Sequence, residues 1–293
     1  MMKLIPNEEI DREKWDALVK RFARGVHSYS WWLDEISENW HVYTDSEYSA
    51  GIALPFTQRT GVKTLYTPIF SEYGEWLGER TYANSLKDVL IANFDRCIFG
   101  LENSELDLDK ELFPVQRLTQ RKSYSKMALR NIKKARDFGL EVVWDDDFEF
   151  VFQCIESKLL DRAKGMTKAN FTRLKKSLIQ ADKRNLLRVL GIRKEGHLFG
   201  GILFLETNNL LYYVKGAVNS ELKSKGAIYL GMDSGIQYAF EKQLAFDFGG
   251  SRIDGVRTFN LQFGGEEVLR PFYKYNAAPK WFNVLQKIRK VVY

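Results

Sequence analysis

Leu187-Arg188-Val189-Leu190-Gly191-Ile192-Arg193-Lys194-Glu195-Gly196-His197-Leu198-Phe199-Gly200-Gly201-Ile202-Leu203-Phe204-Leu205-Glu206-Thr207-Asn208-Asn209-Leu210-Leu211-Tyr212-Tyr213-Val214-Lys215-Gly216-Ala217 is the stretch that decides the fold. Three runs rich in aliphatic and aromatic residues, Leu187 to Arg193, His197 to Leu205 and Leu210 to Ala217, are joined by two turn-forming triplets, Lys194-Glu195-Gly196 and Thr207-Asn208-Asn209. Short connections of this composition join antiparallel neighbours, so the stretch reads as a meander. C-terminal to it, Ile228 to Lys242 reads as a helix and Leu244 to Phe248 as a strand. A Gly-rich loop is expected from Gly249 to Gly265, then a last β segment, Val268 to Tyr275, and an amphipathic tail, Pro279 to Lys290, with Trp281, Leu285 and Ile288 inward.

N-terminal to the meander lie two helical patterns, Phe148 to Arg162 and Lys168 to Ala181, the second with Thr167 placed to cap it. Tyr124 to Phe138 sets Ala128, Ile132, Ala135 and Phe138 on one stripe, and Gly139 stands where a left-handed C-cap belongs, before strand Leu140 to Trp144. Further upstream the chain is expected to open helical, with Ile10, Trp15, Leu18, Val19 and Phe22 on a stripe and Ser28 capping a helix through Trp31, Trp32, Leu33 and Ile36. The β-rich runs Ala50 to Phe56, Val62 to Tyr66 and Tyr73 to Trp76 make a small sheet; Ala83 to Ala92 is helical, and Arg96 to Gly100 and Pro114 to Leu118 are strands. A boundary near residue 122 follows, giving domains 1–122 and 123–293. The fold class is α/β (α+β), with mixed, mostly antiparallel sheets flanked by helices.

With 293 residues, 45% hydrophobic and 14% aromatic, the chain can bury a large core and suits two domains better than one. The seven tryptophans, the Trp31-Trp32 pair included, are expected in packing. The start, Met1-Met2-Lys3-Leu4-Ile5-Pro6-Asn7-Glu8-Glu9, lacks the apolar stretch of a secretory signal, and no run approaches the ~18 apolar residues of a membrane span. A cytoplasmic protein with no membrane insertion is expected. Cys97 and Cys154 sit in apolar contexts and read as buried thiols, and His27, His41 and His197 are scattered, so no metal is expected. The net charge of +6 gathers at Arg117 to Arg136, Arg173 to Arg188 and Lys287 to Lys290, which directs attention to anionic substrates or RNA.

Helix-helix, three antiparallel strands, helix, strand is the order of the acetyltransferase (GNAT) arrangement, in which the last strand splays from its neighbour to admit an acyl carrier. Tyr124-Ser125-Lys126-Met127-Ala128-Leu129-Arg130-Asn131-Ile132-Lys133-Lys134-Ala135-Arg136-Asp137-Phe138-Gly139-Leu140-Glu141-Val142 resembles the Arg-Asn-Ile-Lys-Lys-Ala helix and aliphatic-Glu-Val strand of FemAB/FemX-type proteins. Phe246-Asp247-Phe248-Gly249-Gly250-Ser251 and Gly255-Val256-Arg257-Thr258-Phe259-Asn260-Leu261-Gln262-Phe263-Gly264 resemble that family's Asp-Phe-Gly-Gly loop and Phe-Lys-x-x-Phe-Gly element. The resemblance implies tandem GNAT-like domains with a cleft at or near their junction or in the C-terminal domain. It also implies transfer of an acyl group to the amine of a small or cell-envelope substrate, such as a bacterial peptidoglycan precursor. Acyl-CoA (acetyl-CoA) or aminoacyl-tRNA would be the co-substrate. Asn260 stands where peptidoglycan-modifying members carry Lys, and Lys223-Ser224-Lys225-Gly226-Ala227 is a fragment of the diphosphate-binding loop of acetyl-CoA-dependent enzymes.

Transfer to an amine needs donors aimed at the developing oxyanion and a group to take the proton. Asp247, flanked by Phe246 and Phe248, is the candidate proton acceptor, with a loop-capping carboxylate as its alternative; Asn260 is the candidate amide donor, with a turn-stabilising role as its alternative. Gly249 and Gly250 allow close backbone approach, and Arg252 and Arg257 offer planar forks for carboxylate or phosphate. Lys215, within an aromatic strand, needs an anionic neighbour, Asp247 or a ligand. Lys225 and Gly226 belong to the diphosphate loop, and Arg130, Lys133 and Lys134 form a basic helical face for phosphate or tRNA, or a solvated one. A non-catalytic ligand- or RNA-binding module of the same fold is the alternative reading of the whole chain.

Overall fold

The computed structural model describes residues 1–80, 85–103, 105–160, 166–250 and 253–284. The chain divides into two compact units, Met1–Ala23 with His27–Phe113 and Arg270–Tyr293, and Arg24–Val26 with Pro114–Leu269. This division departs from a single cut near residue 122, because the chain changes unit inside a strand and Arg270 onward returns to the first unit.

The first unit opens on a strand, β1 (Lys3–Pro6), ahead of the helix expected as the first element. Four residues are too few to show a period, and what fixes them is pairing with β2 (Asn39–Thr44), Lys3 opposite Thr44 and Pro6 opposite His41. Between them run α1 (Arg12–Phe22) and α2 (Ser30–Ile36). Asp11 caps α1, accepting from the Lys14 N–H at 3.1 Å, and the helix buries Trp15, Leu18 and Val19. Strands β3 (Ala50–Arg59) and β4 (Val62–Tyr66), the two-residue strands β5 (Gly74–Glu75) and β6 (Leu77–Gly78), α3 (Leu86–Asn93) and β7 (Arg96–Glu102) follow. Trp15, Trp32, Trp40 and Trp76 are fully buried, in keeping with packing roles.

The second unit takes up β8 (Lys110–Leu118) from Pro114, then α4 (Lys126–Asp137), β9 (Glu141–Trp144), α5 (Phe148–Leu160) and α6 (Lys168–Asp182). Ser125 caps α4, and Gly139, at φ +79°, ends it as its position in the sequence demands. Thr167 and Asn170 form a reciprocal capping box on α6. The meander is β10 (Leu187–Lys194), β11 (His197–Glu206) and β12 (Leu210–Val218); α7 (Ala227–Glu241) and β13 (Ala245–Gly250) come next. The expected Gly-rich loop contains a helix, α8 (Asp254–Leu261), and β14 (Glu266–Asn276) closes the order. Gly255 near the helix start costs little, while Phe259 and Phe263, four apart, pack together with ring centroids 5.2 Å apart.

Both units repeat one plan. Strand, two helices, a three-strand antiparallel meander, a helix, and a strand parallel to the meander's third describe β1 to β7 and β9 to β13 alike, with β5 and β6 as additions in the first. Strand order is β1-β2-β3-β4-β7-β14 in the first unit and β8-β13-β12-β11-β10-β9 in the second. This is the mixed, mostly antiparallel, helix-flanked architecture of tandem GNAT-like domains.

Candidate functional site

In the second unit β12 and β13 pair in parallel through only three positions, Leu210 with Ala245, Leu211 with Phe246 and Tyr212 with Asp247. Beyond Tyr212, β12 runs on to Val218 against β11, whereas β13 turns to β8, pairing Asp247 with Arg117 and Gly250 with Val115. The two strands therefore part after Tyr212, and among the described residues β13 pairs with none of Tyr213 to Val218. A β-bulge falls at the same point: Phe204 pairs with Tyr213 and Leu203 with Lys215, so Val214 is an extra residue on β12. A bulge bends its strand and takes backbone groups out of the ladder. Tyr213 is half-buried, and burial around its hydroxyl pushes its pKa up to about 12, partly offset by the Gly216 N–H.

Leaving β12, the chain makes a 3-10 turn, Ser220–Lys225, and enters α7 through Gly226 at φ +79°. A Cβ there would stand 2.2 Å from the Asn131 carbonyl of α4, so only glycine fits. The first N–H groups of α7 have no intrahelical acceptors and favour an anion.

The motif residues gather where the two strands part, on both faces of the sheet. Asp247 is fully buried; Arg117 Nε donates to it at 2.5 Å and the Gly249 N–H at 2.8 Å. Its neighbours Phe246 and Phe248 point to the opposite face, where they join Phe204 and Phe263 in an aromatic cluster. On that face Asn260, 2% exposed on α8, donates from Nδ2 to Gln116 Oε1 at 3.1 Å. Asp247 thus holds both a loop N–H and an ion pair, and Asn260 an amide bond to Gln116.

Lys215 lies half-buried just past the bulge, opposite Leu203, and Gly249, at φ +73°, and Gly250 end β13. The Arg257 fork is engaged by Glu267 at 2.6 and 2.8 Å, and Arg252 lies outside the described residues. Lys225 stands 4.5 Å from the centre of the Phe138 ring, which Lys194 also approaches, at 4.3 Å. Arg130, Lys133 and Lys134 are exposed on α4, Lys133 bonding Asp137 at 2.6 Å. The Val214 bulge escaped the sequence reading because Leu210 to Val214 is an unbroken apolar and aromatic run, with no alternation for an extra residue to interrupt; Gln116 and Arg117, polar side chains inside a strand pattern, were the signal for the two buried pairs. Cys97 is buried, which pushes its thiol up to about 12 and keeps it un-ionised near neutrality.

Residues 122–264 match the family described as acetyltransferase (GNAT) domain. No match was found among curated protein sequences. Solved structures with a similar fold include FemX, at 11% identity and a TM-score of 0.64, covering 92% of this chain and 97% of that one. The C-terminal domain of a putative lysylphosphatidylglycerol synthetase from Agrobacterium fabrum matches at 12% identity and 0.62, covering 92% and 93%. A tandem GNAT protein from the clavulanic acid biosynthesis pathway matches at 12% identity and 0.50, covering 96% and 100%.

Proposed function

We propose, from the match of residues 122–264 to the acetyltransferase (GNAT) domain family, that the protein is an acyltransferase, moving an acetyl, acyl or aminoacyl group to an amine from a carrier held between β12 and β13. The observation that carries this reading is the parting of the two strands after Tyr212 and Asp247, with Val214 bulged at the same point. An extended carrier arm completes the open edge of β12, and backbone N–H groups released at the bulge point a donor at the acyl carbonyl. Acyl-CoA, when bound, supplies the activated thioester. The start of α7 at Gly226 holds diphosphate, Lys225 adds positive charge beside it, and Lys215 balances anionic charge next to the bulge. Asp247 and Arg117 brace the base of the opening rather than handling the proton.

The acceptor in this reading is a small-molecule amine in the bacterial cytoplasm; the FemX-like fold and motifs support a peptidoglycan precursor, and charged tRNA is the rival donor. Burial of both Asp247 and Asn260 favours a second reading, a ligand- or RNA-binding module without turnover.

Calorimetry and thermal-shift measurements with acetyl-CoA and with charged tRNA decide among these. Saturable acetyl-CoA binding with a raised Tm, and weak dependence on salt, is the expected result; a steep salt dependence with tRNA alone transfers the site to an aminoacyl donor. Binding without transfer to any amine leaves the module reading, and binding of neither carrier overturns the acyltransferase.

A further inference from the structure

Away from the strand opening, a cavity of about 280 Å³ lies between the start of α4 and the C-terminal half of α7. Its wall is Arg121, Lys122, Tyr124 and Leu129 on one side, and Asp233, Ile236 and Gln237 on the other. Charge around it is unevenly settled. Asp233, 5% exposed, accepts from Arg136 Nη2 at 2.8 Å and from the Tyr124 hydroxyl, so its negative charge is already answered. Lys122 is paired with Glu266 at 2.8 Å. Arg121 is exposed, its guanidinium 6.0 Å from the Phe240 ring centre, and it makes no ion pair among the described residues. The one unanswered charge in the wall is therefore a planar fork, the group best matched to carboxylate or phosphate oxygens.

The remainder of the wall describes the rest of the ligand. Leu129 is 55% exposed beside the cavity while Ile236 is buried, so an apolar body would be covered on both sides, and the Gln237 amide can accept or donate at its edge. The volume gives room for on the order of ten non-hydrogen atoms, taking a water's share of liquid as about 30 Å³.

We propose that this cavity is a binding site for a small organic anion, a carboxylate or phosphate monoester on a compact apolar body, separate from the carrier opening and using Arg121 as its anchor. A carboxylate and a phosphate present the same oxygens to the fork, so benzoate and phenyl phosphate serve as the two probes, each titrated calorimetrically into the full chain. Saturable binding of either is expected, weakened about tenfold or more by Arg121→Gln with no change in Tm, and unchanged by Lys176→Gln on the distant, exposed face of α6. Leu129→Trp, which fills the cavity from its exposed side, should abolish it. Acetyl-CoA should not displace the probe, which keeps this test independent of the carrier site. The proposal is overturned if neither probe binds saturably, if both variants bind as the unmodified chain does, or if acetyl-CoA competes.

Discussion

The junction between β4 and β7 and that between β12 and β13 have the same topology and opposite outcomes. Each is a parallel contact of three residue pairs, Thr64 to Tyr66 with Arg96 to Ile98 in one, Leu210 to Tyr212 with Ala245 to Asp247 in the other. In the first unit the chain leaving β4 fills the place where the strands would part. The Thr67 N–H donates to the Ile98 carbonyl at 3.2 Å, Thr67 Oγ1 accepts from the Gly100 N–H at 2.8 Å, and β5 resumes the pairing with Gly74 opposite Leu101. A Cβ on Gly74 would stand 2.0 Å from Phe99 Cζ, so the fill is tight. In the second unit the chain leaving β12 goes directly into a 3-10 turn and α7, and among the described residues the pairing of β12 with β13 is not resumed. What separates the filled junction from the other is where the chain runs after the third strand of the meander.

Breaking the filled junction should have the largest effect. Arg270, 2% exposed, donates from Nε to Glu102 at 2.6 Å and from Nη1 to Glu72 at 3.3 Å, with the Tyr73 ring centre 4.0 Å from its guanidinium carbon. It fastens the inserted segment to β7. Arg270→Met leaves two carboxylates without their cation, and a loss of about 3–5 kcal/mol in urea denaturation is expected. Carrier binding, measured where the variant remains folded, should be unchanged. A parallel loss of carrier affinity would mean that the filled junction takes part in binding, and the contrast would fail.

Next in size is Gly226→Ala at the open junction. The substitution forces an L-residue into the left-handed region and against the Asn131 carbonyl, costing about 1–3 kcal/mol. Here the expected signature is joint: the start of α7 shifts and acetyl-CoA affinity falls with it. Lower stability with full affinity would separate the helix start from the carrier and leave the strand edge as the whole site.

The plan of the second unit was legible because its evidence is local: the meander, its two turns, Gly139 and Thr167 each follow from residue chemistry at one place in the chain, whereas the repeat of that plan in the first unit left no mark in the sequence. β1 was missed since four residues acquire strand character only from β2, and α8 since glycines at 249, 250, 255, 264 and 265 outweighed the Phe259–Phe263 spacing. At the site, the motif residues fall together around the end of β13, and the structure adds partners that local sequence cannot show. Asp247 read as a half-shielded acid because only its neighbours Phe246 and Phe248 were visible; its partner, Arg117, lies 130 positions away. Asn260 finds Gln116 over 144 positions. Register between distant strands, which places these pairs, leaves no trace in the spacing of either one.

The smallest expected effect reads the open junction directly. Tyr213 follows the last residue of β12 paired with β13, as Thr67 follows the last residue of β4 paired with β7, but where Thr67 is bonded into the fill, Tyr213 has no partner position on β13. Its phenol has an ordinary value of 10.0 and is raised to about 12, chiefly by desolvation. A raised pKa means that the folded state holds the proton more tightly than the unfolded state does. The stability this contributes is therefore fully present below about pH 10 and is lost as pH climbs to about 12. Tyr213→Phe should flatten the fall of stability across that window, and the tyrosinate absorbance difference between the two proteins should have its midpoint near the upper end. A carrier arm laid along β12 excludes more water, so acetyl-CoA should move that midpoint further up. A midpoint near pH 10 in the free protein would mean that water reaches the hydroxyl, and that the gap between β12 and β13 is wider at Tyr213 than the packing around the phenol implies.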